Sequence, residues 1–198
     1  MKNSILMKSA RTALIGKWDV AVFAFIIYLV SIYVIEAVFE KLGMSGLGSL
    51  LFEGVFSVGF AFFYLSVARN EPLSVDLMFK GFSRFGTALL ASLLAMVFVI
   101  LWSFLLIIPG IVALLSYAMI YFIIVDNPNI SAYEVLKLSK RMMYGHKWKY
   151  FRLILRFTGW FILSLLTVGI GFLFLVPYFQ TANAEFYEDV KSKYDQKI

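Results

Sequence analysis

Arg156 stands in the run KYFRLILRFTGWFILSLL, otherwise apolar toward its C-terminal end. A guanidinium in such a segment calls for a counter-charge or a route to water. Folding the chain back about Ile170 brings Arg156 level with residue 184, so Glu185 and Asn183 come within reach and Arg152 faces Glu188. This group could hold an anion or a lipid headgroup at the inner rim, or it could be a structural ion pair with the guanidinium snorkelling toward water. Tyr178, Gln180, Thr181 and Asn183 flank or follow Pro177. Their hydroxyls and amides could line a cavity or bond between helices. A second candidate is a carboxylate pair. Folding about residues 44–45 sets Glu36 opposite Glu53, where two acids could share a proton or hold a cation, or could stand solvated near Lys41. A third set is basic: Lys137, Lys140, Arg141, Lys147 and Lys149, with Trp148 among them, a composition suited to anionic lipid headgroups.

Other chemistry is excluded by composition. The chain has no cysteine, so disulfides, thiolate metal sites and cysteine nucleophiles are absent. A single histidine, His146, argues against a zinc site, and no cofactor or metal is expected. The glycines lack the strand, helix and lysine of a nucleotide-binding loop. No Asp-Asp, Ser-Lys or HExxH arrangement occurs, so the reading is non-catalytic.

The elements that would carry these residues are set by hydrophobicity. Of 198 residues, 62% are hydrophobic and 15% charged, against about 45–50% and about 25% in soluble domains. Lipid must therefore be the solvent for part of the chain. Apolar runs of spanning length occupy residues 20–39, 47–68, 86–108, 111–125, 149–166 and 172–187. Three short amphipathic segments precede the pairs, at 1–18, 74–85 and 131–144. Ser74 is a candidate N-cap with Asp76 in the first turn. Ser131 and Glu134 have the spacing of a capping box. Glycine-containing turns are expected at 40–48, Pro109-Gly110 and 169–171. The expected fold class is all-α: a polytopic membrane protein of six transmembrane helices, arranged as three parallel hairpin repeats with cytoplasmic interfacial helices.

Charge placement sets the orientation. With the N-terminus inside, 16 of the 18 basic residues fall on the inner side, from Lys2 through Lys191, Lys193 and Lys197. Arg156 is within a span and only Lys41 is outside, which the positive-inside rule reads as both termini cytoplasmic. The net charge of +6 is thereby assigned to anionic lipid and not to nucleic acid. Punctuation recurs with a nearly fixed period. Gly16, Gly81 and Gly145 are 65 and 64 residues apart, and Gly46, Gly110 and Gly171 are 64 and 61 apart. Each unit ends in a polar, acid-bearing stretch. That is the pattern of a repeated unit, although any three hairpins of similar length would look periodic. The repeats run approximately over 1–70, 71–128 and 129–190 of one integral membrane domain, with 191–198 a charged tail.

Trp102, Pro109-Gly110, Ser116-Tyr117, Asp126-Asn127-Pro128, Met143 to Gly145, Trp160, Pro177-Tyr178, Thr181 and Phe186-Tyr187 resemble the bacterial integral membrane family catalogued as domain of unknown function 975. The resemblance is strongest from Leu101 to Tyr187. It implies a multi-pass protein of the bacterial cytoplasmic membrane, of a Gram-positive lineage, and it brings no activity and no functional residues. The expected role is handling of lipid or an amphipathic peptide, or support of a membrane complex through a protein or peptide partner. The alternative is a small transporter or channel.

Overall fold

The computed structural model describes residues 1–196, so Lys197, counted above with the inner charges, lies outside the described residues. Among the described residues there are α-helices, one 3-10 helix and no strand. The order is α1 (Asn3–Ala13), α2 (Trp18–Lys41), α3 (Leu47–Ala68), the 3-10 helix Val75–Arg84, α4 (Phe85–Leu105), α5 (Ile107–Ser116), α6 (Ile120–Asp126), α7 (Ala132–Met142), α8 (Lys147–Leu166) and α9 (Phe172–Asp195). Four described stretches are long and apolar enough to cross a membrane: Trp18–Lys41, Leu47–Ala68, Val75–Phe104 and Ile107–Asp126. The last pair is long enough at 20 and 24 residues but more charged. α8 holds Lys147, Lys149, Arg152 and Arg156, and α9 holds Glu185, Glu188 and Asp189.

Successive long helices pack as antiparallel pairs, α2 on α3, α4 on α5 and α8 on α9. The two members of a pair differ in environment. The second helices bury their C-terminal halves: α3 from Gly54 to Val67, α6 at Phe122 to Ile124, and α9 from Thr181 to Tyr187. α3 packs on both α6 and α9. The first helices lie outside and present Phe23 and Val30, Leu101 and Phe104, and Ile162 and Leu166. In water that much exposed apolar surface would drive aggregation; against acyl chains it costs nothing.

The turn of the second pair differs from expectation. The chain reverses at Leu106, which is extended at φ −164° and ψ 148°. Pro109 and Gly110 are already inside α5. Proline is tolerated in a first helical turn because its missing N–H has no intrahelical partner there. Gly110 packs on Ser103, where a side chain would have no room.

The short segments also differ from expectation. They do not lie apart on a surface. α1 packs on α9, the 3-10 helix on α3, and α7 on α6 and α4. The apolar residues they bury are Leu6, Ala10 and Ala13; Leu77 and Met78; Val135, Leu136 and Met142. Burying a leucine such as Leu6 fully contributes roughly 1.5–3 kcal/mol. The Ser131–Glu134 capping box forms, with the Ser131 Oγ accepting from the Glu134 N–H at 3.4 Å and a Glu134 oxygen accepting from the Ser131 N–H at 3.2 Å. Ser74 makes no side-chain cap.

The middle segment is a 3-10 helix packed tightly on α3. Its backbone lies directly on that of α3, since a Cβ on Gly59 would strike the Met78 carbonyl and one on Gly81 the Val55 carbonyl. Gly81 therefore serves close approach, whereas Gly16 and Gly145 supply the left-handed turns (φ +74° and +80°) after α1 and α7. Gly81→Val is expected to cost about 1–3 kcal/mol by overpacking, read as a fall in thermal stability in detergent. Gly159→Ala, in α8 with open space around it, is expected to stabilise by about 0.5–1 kcal/mol.

Candidate functional site

The buried ends of the second helices carry polar side chains, and these meet. Asp126, the last residue of α6, accepts both hydrogen bonds of the Arg69 Nη2 at 2.9 Å. It also accepts from the Tyr187 hydroxyl at 2.9 Å and from the Lys191 ammonium at 2.6 Å. Arg69 follows α3 directly and its Nε donates to Glu188 of α9 at 2.9 Å. One cluster thus joins the ends of α3, α6 and α9. Two acids and two bases balance within it.

A second cluster centres on Asp189, which is 5% exposed. The terminal ammonium of Met1 reaches one oxygen at 2.6 Å, and Lys193 reaches the other at 2.6 Å. Lys149 of α8 bonds that same oxygen. Asn3 donates to the Lys149 carbonyl at 2.9 Å, Ser9 to Glu185 at 2.8 Å and Tyr178 to the Met7 carbonyl at 3.1 Å. α1 is thereby fixed along α9. Burial alone would raise the Asp189 pKa, but hydrogen bonds from Lys149, Lys193 and the terminal ammonium outweigh it and hold the carboxyl well below its usual range.

These clusters redistribute the residues singled out in the sequence. Glu185 is bonded to Ser9 and Glu188 to Arg69, so the expected pairs with Arg156 and Arg152 do not form among the described residues. The reason is helix rotation. α8 buries Tyr150, Leu153, Phe157 and Ser164, and at about 100° per residue Arg152 and Arg156 fall well off that face; both are exposed. Thr181 is buried and donates to the Pro177 carbonyl at 2.8 Å. Asn183 lies 3.5 Å from Gln180, and its own side-chain oxygen is buried without a partner. Lys149 is tied to Asp189 and stacks over Phe186, 5.2 Å from its centroid, so it is not a free headgroup contact. Lys137, Lys140 and Arg141 are exposed, while Lys147 is half-buried.

The carboxylate pair is also split. Glu36 turns onto the start of α3, accepting from the backbone N–H groups of Gly46 and, at 2.9 Å, of Ser49. Those N–H groups have no intrahelical acceptor, so a carboxylate is favoured there. Glu53 faces a different space, between α3, α4 and the α5–α6 segment.

Tyr178 also lines a cavity. A groove of about 510 Å³ lies between α1 and the α8–α9 pair. Leu163, Phe174, Trp18 and Trp160 make it apolar, with Tyr178 and Arg11 also in its wall. Arg11 is exposed and has no ion-pair partner among the described residues. The clusters were missed because Arg69 and Asp126 read locally as loop residues. The recurring polar end of each unit was the available signal.

Residues 105–194 match the family described as protein of unknown function (DUF975), and over that stretch the chain is similar to it. No curated protein and no solved structure matches the chain.

Asp189→Asn leaves three ammonium groups without their acceptor and is expected to cost about 2 kcal/mol near neutral pH. A carboxyl held below its usual range contributes stability that is fully present above the unfolded-state pKa, about 3.9, and is lost as the pH falls through the lower folded value. The stability gap between wild type and Asp189→Asn should therefore narrow in acid, read by thermal unfolding at neutral pH and near pH 2. A gap independent of pH would contradict the ion-pair assignment.

Proposed function

We propose that the protein is a non-catalytic, six-span protein of the bacterial cytoplasmic membrane that binds an anionic amphiphile in the groove between α1 and the last hairpin. The observation that carries this reading is the groove itself: an apolar slot with tryptophan and tyrosine in its wall and one unpaired guanidinium, Arg11. An acyl chain suits the slot and a phosphate suits Arg11. The exposed Lys137, Lys140 and Arg141 extend the positive surface on which anionic lipid would gather.

The six spans are read as three hairpins, α2–α3, α4 with α5–α6, and α8–α9, with both termini and the short helices on the cytoplasmic side. Two packing relations support the repeat. Ser103 packs against Gly110 in the second hairpin and Ser164 against Gly171 in the third, with the same spacing of seven. Each short helix packs on the second helix of the hairpin before it, and α1 packs on the last one. Three units related in that way form a closed ring.

The reading is tested by native mass spectrometry of protein extracted in mild detergent from membranes rich in phosphatidylglycerol. Wild type is expected to retain lipid. Arg11→Gln is expected to retain about fivefold less, since a basic residue near anionic lipid is worth about 1 kcal/mol. Replacing Lys137, Lys140 and Arg141 by glutamine should lower surface-bound lipid and spare the tightly held molecule. Retention unaffected by Arg11→Gln would rule out the groove.

A further inference from the structure

We infer that a second cavity, beside α3, binds an organic ammonium ion, with Glu53 as its counter-charge. The cavity has a volume of about 540 Å³ and lies between α3, α4, the α5–α6 segment and the start of α8. Glu53 lies inside Leu47–Ala68, a segment apolar and long enough to cross a membrane, so the inference requires only that α3 crosses the bilayer. Among the described residues Glu53 has no ion pair. Glu53 is exposed, less than two turns into α3, and a carboxylate on a spanning helix is found paired or facing a cavity. Here the protein supplies the cavity and no cation.

The surrounding groups define what would fit. Tyr117, Tyr121 and Tyr150 share the wall with Glu53, and the Tyr28 and Tyr121 phenols are within its electrostatic reach. A carboxylate beside aromatic rings is the arrangement that recognises an ammonium group. A bare metal ion fits poorly. Ser92 already donates to the Leu89 carbonyl at 2.9 Å, and no group of three or more metal-ligating side chains occurs among the described residues. One water takes roughly 30 Å³, so a small ion would leave most of the space unfilled. The rest of the wall, including Leu93, Met96 and Ile154, suits an alkyl chain. The ligand class is therefore a cationic amphiphile.

The test uses the full chain in dodecyl maltoside, with dodecyltrimethylammonium as the probe and dodecyl sulfate as the control of opposite charge. Thermal stability should rise saturably with the ammonium probe and not with the sulfate. Glu53→Gln should weaken the ammonium response at least about tenfold. Met96→Trp, which fills the cavity from the exposed side of α4, should abolish it and decides the matter if Glu53→Gln does not fold. Arg11→Gln should leave it unchanged, which separates this site from the lipid groove. An ammonium response that survives both cavity variants would overturn the inference. So would one that is lost in Met96→Trp but unchanged in Glu53→Gln, since the cavity would then select no charge.

Discussion

The Asp126 carboxylate fixes the rest of the architecture. Its side chain is 11% exposed, and it takes hydrogen bonds from α3 through Arg69 and from α9 through Tyr187 and Lys191. A carboxylate so enclosed is tolerable only with its partners in place, and removing one partner from such a set is costly. The three helix ends must therefore converge. Once they do, α3, α6 and α9 become the inner helices and α2, α4 and α8 are left facing outward. The short helices then cover the remaining apolar faces of the inner three. Asp189 acts in the same way on a smaller scale, holding α1 and α8 to α9.

The legible features were those fixed by local physics. Hydrophobic run length located the long helices, because 20 or so apolar residues have few alternatives. In the α-helical short segments the buried residues follow a period near 3.6, as Leu6, Ala10 and Ala13 do in α1, whereas in the 3-10 helix Phe82 is exposed. The Ser131–Glu134 box depends on four consecutive residues and formed as expected. The failures came from three-dimensional context. Arg156 was matched to Glu185 by level along a hairpin, which ignores the rotation of α8 about its axis. Glu36 and Glu53 were matched in the same way, and Glu36 found the unsatisfied N–H groups of α3 instead. The close contact between the 3-10 helix and α3 depends on Gly59 and Gly81, which lie 22 residues apart with nothing in the local sequence to join them. Arg69 with Asp126 is a pairing between units, which no reading of one hairpin at a time can find.

The two cavities have opposite character. The groove beside α1 is apolar with one guanidinium, and the space beside α3 is apolar with one carboxylate. Both suit molecules with a charged head and an alkyl body, which is the composition of the bilayer's own constituents. The proposed binding of amphiphiles rests on these two unpaired charges in otherwise apolar cavities.

The most direct test of this account is the sidedness of the hairpin tips. The chain has no cysteine, so single cysteines can be placed at Met44, Leu106 and Val168, which are exposed at the three tips, and at Asn129 and Asp195, which are exposed near the inner helix ends. In intact spheroplasts a membrane-impermeant maleimide is predicted to label the three tips and to spare Asn129 and Asp195 until the membrane is opened. Labelling of Asn129 in intact cells, or a tip at Val168 that reacts only after permeabilisation, would contradict three hairpins that cross the membrane with their ends joined on the cytoplasmic side.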